Sequence, residues 1–202
     1  MSRLSKAVTV GLVTGIVGLV ASLVPVGLHV EENIGLDLLF KLRGAREAPS
    51  DVIIVTMDKV SADNLNLQAE PDKWPRSLHA RLIENLVKEG ATVIGFDIIF
   101  DEARSVEDDN LFAEAIRNAG NVVLCECLKK ETVPLTDEDG ASKVDLNIER
   151  LVPPIPPLAR SAIALAPFPL PKVPVKVSQY WTFKTAAGDK PTLISAGTMF
   201  TL

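Results

Sequence analysis

The sequence predicts an α/β domain with a mostly parallel central sheet flanked by helices, preceded by one N-terminal transmembrane helix. Two observations predict it. A long uncharged apolar run opens the chain, and after it short β-branched segments alternate with amphipathic helical ones. That alternation is the pattern of right-handed crossovers in a parallel sheet. With only two cysteines, Cys125 and Cys127, stability has to come from a packed core rather than from disulfides.

From Ala7 to Val30 no Asp, Glu, Lys or Arg occurs in 24 residues. As a helix this run would be about 36 Å long, enough for a hydrocarbon core of roughly 30 Å. Arg3 and Lys6 precede it, and Glu31 and Glu32 follow. The positive flank is expected to stay in the cytoplasm. Residues 1–6 are then cytoplasmic, 7–30 cross the membrane and 31–202 lie outside. The alternative is a cleaved signal peptide with Val20-Ala21-Ser22 as a weak cleavage site. The length of the run favours a retained anchor, and both readings export the domain. Gly11 and Gly15 make a small-xxx-small step of the kind that lets two membrane helices approach, so a homodimer through these glycines is one expectation.

The residues beyond the anchor carry 19 Lys or Arg against 26 Asp or Glu, a net of −7. An acidic exported domain with no basic stripe is a poor nucleic-acid binder, and no such partner is expected. At positions i and i+2 of a strand, Cys125 and Cys127 face the same way, too close for an unstrained bond. They read as two half-buried strand residues rather than as a redox or metal pair.

Ile34, Leu38, Leu39 and Leu42 recur at near-helical spacing and predict a short helix up to Gly44. Asp51–Asp58 (DVIIVTMD) predicts a first buried strand. Leu78, Leu82, Leu86 and Val87 predict the inward face of a helix, with Gly90 ending it. Thr92–Phe100 (TVIGFDIIF) predicts a second strand. Asp108 and Asp109 open the next helix, where negative charge suits the N-terminus. Its apolar face is Leu111, Phe112, Ala115 and Ile116, and Gly120 stops it. Asn121–Leu128 predicts a third strand, and Glu131–Lys143 a loop. Eight of the 14 prolines fall between Pro153 and Pro174, which argues against central strands and most helix there. Leu158–Leu165 predicts one short helix, and Gln179–Lys184 an edge or antiparallel strand.

The candidate site gathers at predicted strand ends. Asp58 ends the first strand, Asp97 lies in the second, and Asp101 follows; ligands of open parallel sheets bind at such ends. Hard carboxylate oxygens there would suit Mg²⁺ or Ca²⁺. The competing account has these acids accept loop amides or pair with Arg76 or Arg104, and it is favoured. In Trp74-Pro75-Arg76-Ser77, Ser77 is the expected helix cap and Arg76 a contact for an anion or an acidic strand end. His79 falls on the polar face and is expected in solvent. Asp58, Trp74, Arg76 and Asp97 are therefore the expected ligand-binding residues. No cofactor is expected, since the chain has neither a glycine-rich nucleotide cradle nor a nucleophile paired with a base.

The order and spacing of LDLLFKLRG (Leu36–Gly44), Asp51–Asp58, WPRSLHA (Trp74–Ala80), GATVIGFDIIF (Gly90–Phe100) and Asp108-Asp109 resemble the CHASE type 2 family of extracytoplasmic sensor domains. The segment Pro169–Lys184 resembles one branch of that family. The resemblance implies a sensory role in bacterial adenylate cyclases, histidine kinases and related receptors. It departs at Asp137-Glu138-Asp139-Gly140, which comes earlier than the family's Asp-x-Asp-Gly and lacks the arginine after it, so no role is carried over. Members are usually followed by further membrane helices and an output domain, so a chain ending at Leu202 implies an input module without its output. The expected protein is a non-catalytic sensor in the bacterial inner membrane, its domain facing the periplasm or exterior and binding a small-molecule or envelope ligand. An exported metal-dependent hydrolase using Asp58, Asp97 and Asp101 is the runner-up, and a structural envelope partner is the third reading.

Overall fold

The computed structural model describes residues 3–23, 34–136, 142–170, 180–185 and 188–201. Two compact units are present, each described by itself. The first holds α1 (Arg3–Leu23) and α2 (Leu36–Arg43) and continues to Ile54. In α1 the hydroxyls of Thr9 and Thr14 donate to the carbonyls of Ser5 and Val10, both at 2.9 Å. The helix thus leaves these polar groups satisfied internally, as lipid requires. Among the described residues, one helix is long and apolar enough to cross a membrane, over Arg3–Val20. The rest of the predicted span, 24–30, lies outside the described residues. The predicted short helix is α2, stopped by Gly44 at φ 74°.

The predicted first strand, Asp51–Asp58, does not form. After a turn at Ser50 and Asp51 the backbone makes no ladder, and Ile53 and Ile54 are 81% and 83% exposed. β-propensity describes fit to a neighbouring strand, and no described strand pairs with this segment. In its place Asp58 caps α3 (Lys59–Leu65), an element the apolar pattern does not announce.

The second unit is built on β2 (Val122–Thr136). Its first half pairs in parallel with β1 (Ile94–Phe96) on one side and with β4 (Ala164–Pro167) on the other. Its second half pairs antiparallel with β3 (Ser142–Val152), so most of the predicted loop 131–143 is a hairpin ladder. Asp137-Glu138-Asp139-Gly140 lies outside the described residues. The predicted second strand is confined to the three residues of β1. The predicted helix 158–165 is instead α6 (Pro156–Ala159) followed by β4, an edge strand of the kind the prolines allow. Pro167 is tolerated because it ends a strand with a single pairing partner. The QYWTFK segment contributes β5 (Phe183–Lys184), antiparallel to β6 (Lys190–Pro191), and α7 (Leu193–Met199) follows.

Alternation along β2 buries both faces of the sheet. Val122 and Leu124 join a core with Ile83 of α4 (Arg76–Lys88), Phe112 and Ile116 of α5 (Val106–Ala119), and Leu158 of α6. Val123 points the other way, into a smaller cluster with Ala166 and Ala196. The α4 face is rotated from the predicted one. Its fully buried side chains are Arg76, His79, Ala80 and Ile83, while Leu82 and Leu86 are half-buried and Val87 is exposed. Gly90 (φ 87°) and Gly120 (φ 66°) end α4 and α5 in the left-handed conformation, as predicted.

Phe112 is 0% exposed and its ring meets those of Phe96, Phe100 and His79. Phe112→Ala should cost about 3–5 kcal/mol through lost burial and a residual cavity. Denaturant unfolding of the full chain checks this, and a loss below 1 kcal/mol would contradict the packing (about 1 kcal/mol is an ordinary surface-to-core average).

Candidate functional site

The chain enters α4 through Pro75, which has no side-chain acceptor for the free amides of the first turn. The acceptor comes from α5. One oxygen of Asp108 takes the Arg76 amide at 2.7 Å and the other takes the Ser77 amide at 3.0 Å. Ser77 is therefore not the cap, contrary to the sequence expectation; a carboxylate 31 residues further on does that work. α5 is capped by its own Ser105, whose hydroxyl accepts from the Asp108 amide at 3.1 Å.

Arg76 is 1% exposed. Its Nε donates to Asp109 at 3.4 Å, its Nη2 donates to the Glu102 carbonyl at 3.0 Å, and its guanidinium lies 4.5 Å over the Phe100 ring. The second oxygen of Asp109 accepts the Arg104 amide at 2.8 Å. Burial pulls the guanidinium below its ordinary pKa, and Asp109 opposes that. Together these bonds clasp the N-terminus of α4 to that of α5. Lys73 extends the clasp outward through Glu102 at 3.2 Å.

The four expected ligand contacts fall into two kinds. Trp74 and Arg76 are buried, with the Trp74 indole donating to the Gln68 carbonyl at 2.6 Å. Asp58 and Asp97 are exposed. Asp58 accepts the amide and the hydroxyl of Ser61, both at 2.8 Å, and these bonds hold its carboxyl below the usual range. Asp97 follows β1, and partial desolvation holds its carboxyl above the usual range. Among the described residues, no hydrogen bond or ion pair joins any two of the four. Asp101 accepts from Lys129 at 2.9 Å. No group of three or more His, Cys, Asp or Glu among the described residues is placed to hold a metal ion.

His79 is the residue the sequence misplaces. It is 0% exposed, not in solvent, because the buried stripe of α4 runs through Arg76, His79, Ala80 and Ile83. A second ion pair also escapes the sequence: Glu126, 4% exposed on β2, accepts the half-buried Lys190 of β6 at 2.9 and 3.1 Å. No local spacing relates these two residues. Cys125 is buried and its thiol is pushed up to about 11 by desolvation, which leaves it unreactive.

A parallel-centred α/β unit, whose α4 and α5 are joined by a buried polar clasp, follows in the chain a helix long and apolar enough to cross a membrane. A family profile described as the CHASE2 domain matches residues 11–188, and the chain belongs to that family. CHASE2 is an extracellular sensory domain found in receptor proteins, so this is an extracellular sensory module. No curated protein and no solved structure matches the chain.

Arg76→Ala removes one partner of a buried pair and leaves Asp109 uncompensated. The expected loss is about 3 kcal/mol or more of unfolding free energy. Asp108→Ala, which frees two amides at a helix start, should cost about 1–2 kcal/mol. Urea denaturation of each variant measures both, and an unchanged midpoint for Arg76→Ala would remove the clasp from the account.

Proposed function

We propose that this chain is the input module of a bacterial membrane signal-transduction receptor of the cyclase or kinase type. Residues 7–30 hold it in the inner membrane, and residues 31–202 face the periplasm or exterior. The observation that carries this reading is the CHASE2 match, which begins at residue 11, inside the helix able to span a membrane. Helix and domain are thus matched as one unit, which is what a receptor needs to pass a change in the domain to its anchor. The module binds a small molecule or an envelope component and does no chemistry itself. Asp58 and Asp97 present exposed carboxylates to such a ligand, whereas Trp74 and Arg76 reach it only if the clasp rearranges. The ligand must have different affinity for the two arrangements to move the equilibrium between them.

Orientation follows from Arg3 and Lys6 on one side of the helix and Glu31 and Glu32 on the other. A reporter enzyme active only in the periplasm, fused after Leu202, should be active, and one active only in the cytoplasm should be silent. The reverse result would invert the topology and sink the reading.

The proposed homodimer uses Gly11 and Gly15. A Cβ added at either meets nothing within 4 Å, so the space beside both is open in the single chain. Replacing the two glycines by Ile should lower the dimer fraction in membranes, because the branched side chains hold the backbones apart. Cross-linking in native membranes reads this out; an unchanged fraction would exclude the glycine face.

A further inference from the structure

His79 sits one turn into α4 inside a cage of three rings from three elements. Phe96 of β1 lies at 6.1 Å between centroids, Phe100 of the loop before α5 at 5.3 Å and edge-on, and Phe112 of α5 at 5.5 Å. Nδ1 is 3.0 Å from the Pro75 carbonyl oxygen. A carbonyl only accepts, so Nδ1 carries the hydrogen, and in the neutral ring Nε2 is then a bare lone pair. That Nε2 is buried and has no partner among the described residues.

The charged groups around the cage are held by other partners, although Arg76 Nη1 is buried without a hydrogen bond among the described residues. On α4 itself, Arg76 shares the Phe100 ring with His79. On α5, Asp108 holds the Arg76 and Ser77 amides, and Asp109 holds Arg76 Nε and the Arg104 amide. In the loop before α5, Glu102 offers its carbonyl to Arg76 and its carboxylate to Lys73 and Arg104. From β1 and Phe100 the cage receives rings only. A proton on Nε2 would create a second cation beside Arg76 and a buried donor without an acceptor, both costly in a dry core.

We propose that His79 is a proton-responsive element of this sensory module, and that its protonation opens the clasp joining α4 to α5. The proposal rests on the sensory reading and names one input for it, the external proton. Burial already holds the imidazole below its ordinary value of 6.5; the Pro75 bond opposes this and Arg76 reinforces it. The direction of the pH effect follows. Above about pH 6.5 the ring is neutral whether the clasp is closed or open, and the proton has no influence. Below it the open state takes up a proton that the closed state refuses, so the closed state loses ground as pH falls, by up to about tenfold per pH unit.

The test is hydrogen exchange at the Arg76 and Ser77 amides, the two that Asp108 holds, in the full chain in detergent micelles. Protection is compared at pH 7.5 and pH 5.5 after correction for intrinsic rates. His79→Gln and His79→Phe serve as controls; both keep His29, the other histidine of the sequence, so the difference isolates position 79. The native chain should lose about tenfold more protection than the variants over this interval. Two variants are used so that one that fails to fold does not remove the comparison. An equal change in the native chain and a folded variant, or no change in the native chain, would overturn the proposal. Either result would leave the sensory reading standing, since that is tested by topology and does not depend on His79.

Discussion

Arg76 carries a full charge where almost no water reaches it, and the groups that make this tolerable also fix how α4 meets α5. Desolvating a guanidinium costs several kcal/mol, which a single ion pair only partly offsets. Here Asp109, the Glu102 carbonyl and the Phe100 ring share the task. Asp109 in turn holds the Arg104 amide, and Asp108 spans the first two amides of α4. Both helices therefore present their N-termini, each with a partial positive charge, to the same pair of carboxylates. Without Asp108 and Asp109 that junction would bring together two like dipole ends and a buried cation. The adjacent acids Asp108-Asp109 are thus the counter-charge for two helices at once.

The clasp stands on a core that β2 divides. Val122 and Leu124 pack towards α4, α5 and α6, and Val123 towards Ala166 and α7. A three-residue β1 is enough on one side because Phe96 and Phe100 place two rings from one short segment into the aromatic cluster. The backbone continues that link: the Ile155 amide donates to the Phe100 carbonyl at 2.8 Å, tying the entry of α6 to the loop that supports Arg76. Substitution in the cluster and substitution in the clasp should therefore couple rather than add, since Phe100 belongs to both.

What the sequence discloses follows the range of the interaction concerned. Helix ends at Gly90 and Gly120 and the acidic start of α5 depend on neighbours within a turn or two, and each is where the pattern puts it; the apolar run is helical as far as it is described, through Leu23. The alternation of strands and helices correctly gives an α/β fold with a parallel sheet. Asp51–Asp58 reads as a strand but has none beside it, and β propensity without a partner edge leaves Ile53 and Ile54 in solvent. The run Glu131–Lys143 reads as a loop because its charged residues pair across a ladder, as Arg150 does with Glu131 at 3.1 Å, and such pairing cannot be seen along the chain. At the candidate site, Trp74 and Arg76 stand out as residue types, but their partners Gln68, Glu102 and Asp109 do not. The inward face of α4 is misread for a related reason. A stripe that starts with Arg76 and His79 looks polar, and only α5 and the phenylalanines supply what buries it.

The placement of the clasp also constrains what can act on it. In a parallel sheet with right-handed crossovers, helix N-termini gather at the carboxyl ends of the strands, where anionic ligands are held. At the start of α4 that position belongs to Asp108, a carboxylate supplied by the chain itself. A tethered ligand acts at an effective concentration on the order of millimolar. An external anion competing for the same two amides must overcome that, and must also leave Asp108 with a new partner. A proton on His79 displaces nothing: it changes the charge beside Arg76 from within the helix that the clasp holds. Of the two ways to open the junction, titration of the buried ring is the one that needs no competitor strong enough to replace a carboxylate already in place.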